Sequence, residues 1–176
     1  MMDLLEQLKK ELPNSHATRR KEVAAEIATR IVTENFDLEE LIPLVYEPEK
    51  VSSRFFWLLS DIAELLPEKL IEIQPKLLAL KDKTTYKNIR HSFSRYWNLH
   101  GINDSIESEA LELLFKWLAD SNSTVSVKVH SMHALELMSS FYPEIIGELK
   151  ATIQEQIGKS TASFDKTANR VLQNLT

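Results

Sequence analysis

A pattern of small and apolar residues recurs five times along this chain. It is built on Val-Arg/Lys, with a small residue three positions on and a small-apolar pair three beyond that. The clearest copy has Val127-Lys128, then Ser131, then Ala134-Leu135. The five copies begin at Arg20, Ser53, Ile89, Val127 and Phe164, at intervals of 33 to 38 residues. A period of this length predicts stacked pairs of helices, because one pair alone cannot bury its apolar face.

Each repeat is expected to supply a helix A, which carries the pattern, and a following helix B. The A helices are predicted at 16–34, 51–66, 86–99, 125–142 and 162–176, and the B helices at 38–46, 68–80, 106–119 and 144–159. Pro43 and Pro75 fall inside B helices, which predicts a kink or a shorter helix there. We expect one domain over 1–176, with an N-terminal cap at 1–15, about four helix pairs at 16–161 and a C-terminal capping helix at 162–176.

Helix 125–142 shows how an A helix is expected to pack. Its apolar and small residues recur at spacings of three and four, so that they share one stripe. The stripe consists of Val127, His130, Ser131, Ala134, Leu137, Met138 and Phe141. We expect all of them to face the interior.

The composition excludes several kinds of chemical site. Cysteine is absent, so the chain has no disulfides, thiolate metal sites or cysteine nucleophiles. Its three glycines stand far apart, so there is no glycine-rich phosphate loop. A nucleophile elbow and a His-Glu-x-x-His motif are also missing. No catalytic residue, cofactor or metal site is therefore expected.

Charge and hydropathy limit the partners and the location. A net charge of -5 argues against general nucleic-acid binding, which depends on neutralising phosphates. The longest apolar runs are too short to span a bilayer, and the N-terminal segment lacks the apolar stretch of a signal peptide. We expect a cytoplasmic protein without a membrane partner, acting as a monomer or weak homo-oligomer.

Acidic residues between the repeats make the pattern more specific. Asp82 lies eight residues before Arg90, and Asp120 lies eight residues before Lys128. In this respect the chain resembles the HEAT-repeat family over essentially residues 16–176. In that family such an Asp follows helix B, precedes the basic residue of the next helix A, and forms a charge ladder with its copies. The resemblance implies an all-α fold, a right-handed superhelix of stacked helix pairs, with these four residues as the structural ladder.

Charge is shared unequally between the two kinds of helix. The B segments and the residues that follow them hold eleven acids and five lysines, about -6, whereas the A segments hold eleven bases and seven acids, about +4. HEAT proteins usually line their concave face with B helices, so the resemblance implies an acidic concave face. Such a face suits a basic peptide or protein, and the predicted partner-binding residues are Glu72, Glu109, Glu112 and Glu148. The alternative is a face kept charged for solubility.

Residues 83–103 form a local contrast, with four basic residues and no carboxylate. Basic groups between aromatic residues can hold phosphates and stack on bases. However, the repeat register places Phe93, Tyr96 and Trp97 in the core of an A helix. Both interpretations, a site for an anionic partner and a packed core, remain open at this point.

Two further patterns invite a site. His130, His133 and Glu136 lie on one helix, but successive steps of three rotate around the axis, so the set favours structural histidines over a metal site. Asp61 beside Trp57 resembles the acid and aromatic pair of the HEAT-like alkylpurine DNA glycosylases. The sequence therefore predicts a non-catalytic protein-interaction scaffold. The alternatives are a HEAT-like nucleic-acid-binding or base-repair enzyme and a structural subunit that self-associates through its ends.

Overall fold

The computed structural model describes residues 4–175, and within them the chain forms helices and no strand. We number the α-helices α1 to α9 in chain order. They span Leu4–Glu11, Ala17–Glu34, Glu49–Ala63, Pro67–Ala79, Ile89–Leu99, Glu107–Ala119, Val125–Ser139, Ile146–Gln156 and Ala162–Asn174. Short 3₁₀ helices lie at Leu12–Asn14, Leu38–Tyr46, Asp104–Ile106 and Pro143–Ile145. The predicted all-α organisation in successive A and B helices is confirmed.

Side-chain caps explain where several A helices begin. The Thr124 hydroxyl accepts a hydrogen bond from the backbone N–H of Val127 (3.3 Å), which starts α7. Thr161 does the same for Phe164 (3.2 Å) at the start of α9. Each cap satisfies a backbone donor that the first helical turn leaves unpaired. The repeat pattern is therefore placed in helical register by the threonine three residues before it.

The first B segment differs from its prediction. Residues 38–46 form a 3₁₀ helix, Leu38–Tyr46, and not an α-helix. Pro43 lies in its middle and has no N–H to donate to a carbonyl four residues earlier, which favours the tighter helix. Pro75, in contrast, is accommodated inside the continuous helix α4.

The helices divide into two compact units, one extending to Ser92 and the other starting at Phe93. In the first unit α2 packs on α3, and α3 packs on α4 and on the 3₁₀ helix Leu38–Tyr46. The interior is apolar and includes two adjacent phenylalanines, Phe55 and Phe56, whose ring centroids are 6.0 Å apart.

The second unit is organised around α7, which contacts α6, α8 and α9. Trp97 and Trp117 stack almost parallel in its core, with ring centroids 5.5 Å apart and an interplanar angle of 7°. Leu149 and Ile153 of α8 and Phe164 of α9 are fully buried as well. The apolar sides of α8 and α9 thus pack against α7 and against each other.

One buried ion pair links α2 to α3 in the first unit. The guanidinium of Arg20 donates to both carboxylate oxygens of Asp61, and both residues are buried. The Arg20 guanidinium also lies 5.3 Å from the centre of the Trp57 ring. A paired charge of this kind tolerates burial, whereas either residue alone would leave an uncompensated charge inside.

The first rung of the implied ladder is not a buried contact. The Asp82 side chain is 91% exposed, and its ion pair is with the adjacent Lys81, at 4.0 Å. The cause is the tight turn after α4, in which Lys83 donates its backbone N–H to the Leu80 carbonyl (2.9 Å) and Asp82 projects outward. Asp82 therefore projects into solvent beside Lys81, and its place in a charge ladder with Arg90 stays a prediction.

Hydroxyl groups occupy the interior of that junction instead. The backbone carbonyl of Val45 accepts hydrogen bonds from the hydroxyls of Ser52 and Thr84, both at 3.1 Å. Those two hydroxyls also lie 3.1 Å from each other. The 3₁₀ helix Leu38–Tyr46, helix α3 and the segment after α4 are thus joined through the Val45 carbonyl and not through a carboxylate.

At the second rung, Lys128 is buried and bonds to a neutral partner. Its ammonium donates to the Gln156 side-chain carbonyl at 2.7 Å. Asp120 accepts the backbone N–H of Asn122 (2.9 Å) in the turn before α7. Burial lowers the pKa of Lys128, while the negative charge of Asp120 raises it in part. Asp120 therefore influences Lys128 through its negative charge, whereas the acceptor of the Lys128 hydrogen bond is Gln156 of α8.

Replacing Asp61 with Asn should destabilise the protein strongly. The change keeps the side-chain shape but leaves the Arg20 charge buried without its counter-charge, a loss of about 3–5 kcal/mol in unfolding free energy. Urea denaturation measures it. The matched control is Glu64→Gln, which removes the exposed ion pair between Lys21 of α2 and Glu64, the residue after α3, and should cost much less stability because exposed ion pairs contribute little. Equal losses in the two variants would contradict a special role for the buried pair.

Replacing Lys128 with Met should change how stability depends on pH. Because burial lowers the folded-state pKa of Lys128 below the ordinary 10.5, the charged form is penalised at neutral pH. That penalty is relieved as pH rises through the folded-state pKa toward 10.5, so the wild type gains stability relative to the variant. Urea denaturation over this range should show variant-minus-wild-type unfolding free energy falling with pH. Lys166→Met, at an exposed lysine, is the control, and an equal slope there would contradict the argument.

Candidate interaction surfaces

The four predicted partner-binding glutamates are all exposed. In the first unit Glu72 lies on α4, where its carboxylate pairs with Lys69 at 2.8 Å. In the second unit Glu109 and Glu112 lie on α6, and Glu148 lies in the first turn of α8. The structure therefore leaves each side chain at the surface of its own B helix.

Helix α6 separates its charged and apolar residues by face. Ala110, Leu114 and Leu118 are fully buried, and they recur at a spacing of four, which places them on one side. Glu109 and Glu112 fall outside this row and are exposed. Both carboxylates therefore lie at the surface of α6 and outside its packed row.

The aromatic residues of segment 83–103 belong to the core. Phe93, Tyr96 and Trp97 are buried, and the Phe93 ring lies 5.2 Å from the Trp97 ring. Lys87, in contrast, is largely exposed and lies 4.0 Å from Glu49. The interpretation of this segment as packed core is confirmed for the three aromatic side chains, which therefore cannot stack on bases.

The histidines of α7 serve contacts between helices. The amide nitrogen of Asn98 lies 2.9 Å from Nδ1 of His130. His133 and Glu136 lie 3.1 Å apart, and Glu136 also accepts a hydrogen bond from Asn174 of α9 (2.8 Å). Among residues 4–175 no three acidic or histidine side chains are arranged to hold a metal ion. These histidines therefore join α7 to its neighbours in the second unit.

Trp57 and Asp61 face different surroundings. Trp57 is partly exposed, with the guanidinium groups of Arg20 and Arg54 5.3 and 5.7 Å from its ring centre and the His91 ring at 6.3 Å. The carboxylate of Asp61 is held inside by Arg20. The buried ion pair with Arg20 explains the position of Asp61. The contacts with Arg20 and Arg54 explain the position of Trp57.

The second unit contains a groove that the sequence did not predict. It has a cavity volume of about 740 Å³ and lies between the end of α5, the segment after it and the end of α7. Its twelve lining residues are Trp97, Asn98, Leu99, Gly101, Ile102, Asp104, Glu107, Ala134, Leu137, Met138, Phe141 and Tyr142. They include two acids and no Lys, Arg or His.

Leu137 and Phe141, which line this groove, were predicted wrongly as interior residues. Their exposed fractions are 55% and 80%. The reason is that apolar residues surround much of α7, and its other sides are taken up by contacts with α6, α8 and α9. A spacing of three and four identifies a stripe, but it does not reveal which of two apolar sides a neighbour covers.

A tyrosine marks the acidic edge of the groove. The Tyr142 hydroxyl donates to Glu107 at 2.7 Å. This hydrogen bond raises the pKa of Tyr142, and desolvation and the nearby charges of Glu107, Asp104 and Glu144 act in the same direction. The groove therefore combines an apolar floor with a negative edge.

None of the helices in residues 4–175 has the length and apolarity needed to cross a membrane.

Comparison with known proteins identifies the family. A family model described as a HEAT repeat domain matches residues 8–175. Neither the curated proteins nor the solved structures include a significant match to this sequence. The family match covers nearly the whole chain and agrees with the successive helix pairs found in both units. The chain therefore belongs to the HEAT-repeat family.

Proposed function

We propose that this chain is a protein-interaction scaffold that binds a basic protein or peptide through exposed glutamates of its B helices. HEAT repeats commonly serve as interaction scaffolds, and stacked repeats offer extended surfaces for partners. The observation that carries the proposal is that Glu109 and Glu112 are exposed on α6, outside its buried row. Glu72 and Glu148 extend the same chemistry on α4 and α8.

Electrostatic attraction would affect mainly the rate of association and the selection of the partner. Exposed carboxylates attract a partner of opposite charge and disfavour acidic competitors. The effect weakens as salt rises, because charges in water are screened over about 10 Å at 0.1 M ionic strength. The proposed partner is a protein, since the net charge of -5 opposes the phosphate backbone of nucleic acids.

The proposal includes the setting in which the chain works. A sequence of 176 residues without cysteine suits a reducing compartment, so we place the protein in the cytoplasm. We further propose that the chain acts as a single functional domain, which a family match from residue 8 to residue 175 supports, and that it is a monomer or weak homo-oligomer.

Charge reversal on α6 should remove specific partners. The double variant Glu109→Lys/Glu112→Lys is compared with the wild type in affinity capture from native lysate, with quantitative mass spectrometry of the captured proteins. We expect a subset of basic proteins to bind the wild type, to elute with salt and to fall by about tenfold or more with the variant. Both carboxylates lie outside the packed face, so thermal unfolding should be nearly unchanged.

The control makes the same change of net charge on an A helix. Glu22 and Glu26 of α2 are exposed acids paired with Arg19, so Glu22→Lys/Glu26→Lys matches the charge of the α6 variant. The captured set should survive this control. If both variants lose the same proteins, or neither loses any, net charge or chance adsorption explains the capture and the proposal fails.

A further inference from the structure

Three large apolar side chains are exposed to water in the groove of the second unit. Leu99 is 50% exposed, and Leu137 and Phe141 are exposed by 55% and 80%. All three line the same groove. Single exposed apolar residues are ordinary on protein surfaces, but a contiguous group edged by polar residues marks a place where a partner binds.

The floor of the groove is firmly held. Trp97 lines it and is itself buried by stacking on Trp117 at 5.5 Å. Asn98, next in the chain, is held by His130 of α7 at 2.9 Å. A floor fixed in this way loses little conformational freedom when a ligand binds, which favours affinity.

The edge of the groove selects the charge of its occupant. Asp104 and Glu107 are the ionisable acids among the lining residues, and no basic side chain lies among those twelve. Glu107 is held in position by the Tyr142 hydroxyl. A second copy of this chain would bring the same two acids to a symmetric contact, where like charges repel. A cationic partner has no such penalty.

The shape of the exposed apolar surface favours a helix as occupant. Leu137 of α7 and Phe141 just after it lie four residues apart and are both exposed, and apolar side chains at this spacing pack against the apolar side of another helix. Strand addition would need an open sheet edge, and residues 4–175 contain no strand.

We propose that this groove binds one amphipathic helix of a protein partner, with large apolar residues on one face and Lys or Arg beside them. The apolar face covers Leu137 and Phe141, and the cations meet Asp104 and Glu107. The inference goes beyond the acidic-face proposal, because the groove contains none of Glu72, Glu109, Glu112 and Glu148. Either can fail while the other stands.

The probe is a fluorescein-labelled synthetic peptide of about four helical turns, with Leu at spacings of three and four and Lys elsewhere. One matched peptide carries Glu in place of Lys, and another carries Ala in place of Leu. Fluorescence anisotropy with the full chain should show binding of the Lys/Leu peptide. Each matched peptide should bind more weakly by about tenfold or more.

Groove variants then locate the binding. Leu137→Ser/Phe141→Ser should weaken binding by about tenfold or more, as expected for exposed apolar anchors. Val32→Ser, at a residue 71% exposed on α2, is the matched control and should leave affinity unchanged. Asp104→Asn/Glu107→Gln should weaken binding at low salt, and the new amide oxygen can still accept the Tyr142 hydroxyl. Circular dichroism checks that each variant is folded.

A second measurement is independent of these substitutions. A peptide with a photoreactive benzophenone at one apolar position should cross-link to residues 97–107 and 134–142 of the wild type. Binding that ignores the groove variants, equal binding of the Glu/Leu peptide, or no binding would overturn the inference. So would sensitivity to Glu109→Lys/Glu112→Lys alone, which supports the acidic-face proposal instead. A wild-type dimer in sedimentation that the Leu137→Ser/Phe141→Ser variant dissociates would identify a second copy as the occupant.

Discussion

Burial of apolar side chains between neighbouring helices supports each unit, because a single helix pair in a repeat protein has no closed core of its own. In the second unit this requirement falls mainly on α7, which contacts three other helices. The stacked indoles of Trp97 and Trp117 and the buried Phe164 show the same dependence. The two indoles meet within one helix pair, whereas Phe164 lies on α9, which packs on α7 and α8 of the preceding pair. Stability is therefore shared between neighbouring repeats.

Several polar groups inside the helix layers are matched to specific partners. Arg20 pairs with Asp61, Lys128 donates to Gln156, and the Val45 carbonyl accepts from two hydroxyls. Only the first of these three arrangements is a pair of Asp with Arg or Lys. Their common requirement is that a buried donor, acceptor or charge must be satisfied, and a guanidinium, an amide or a hydroxyl can each meet it.

The surface contains two exposed regions that are candidates for binding a partner. The glutamates on B helices are exposed beside a closed apolar row, and the groove between α5 and α7 leaves Leu137 and Phe141 in contact with water. We propose a basic partner for both regions, bound by charge alone at the first and by apolar contact edged by acids at the second. A scaffold of this kind can combine long-range attraction with a short-range apolar anchor, and these contribute separately to encounter rate and residence time.

The sequence by itself determined the helical class, the repeat period and nearly all helix positions, because helical periodicity, caps and prolines act over a few residues. It also placed Glu109 and Glu112 on a B helix, where both are exposed. Only the tertiary structure decided which apolar side of α7 is covered, that Asp82 points into solvent, and that Asp61 pairs with Arg20 forty-one residues away. Those outcomes depend on which helix lies opposite, and that is a property of packing between repeats and not of spacing within one.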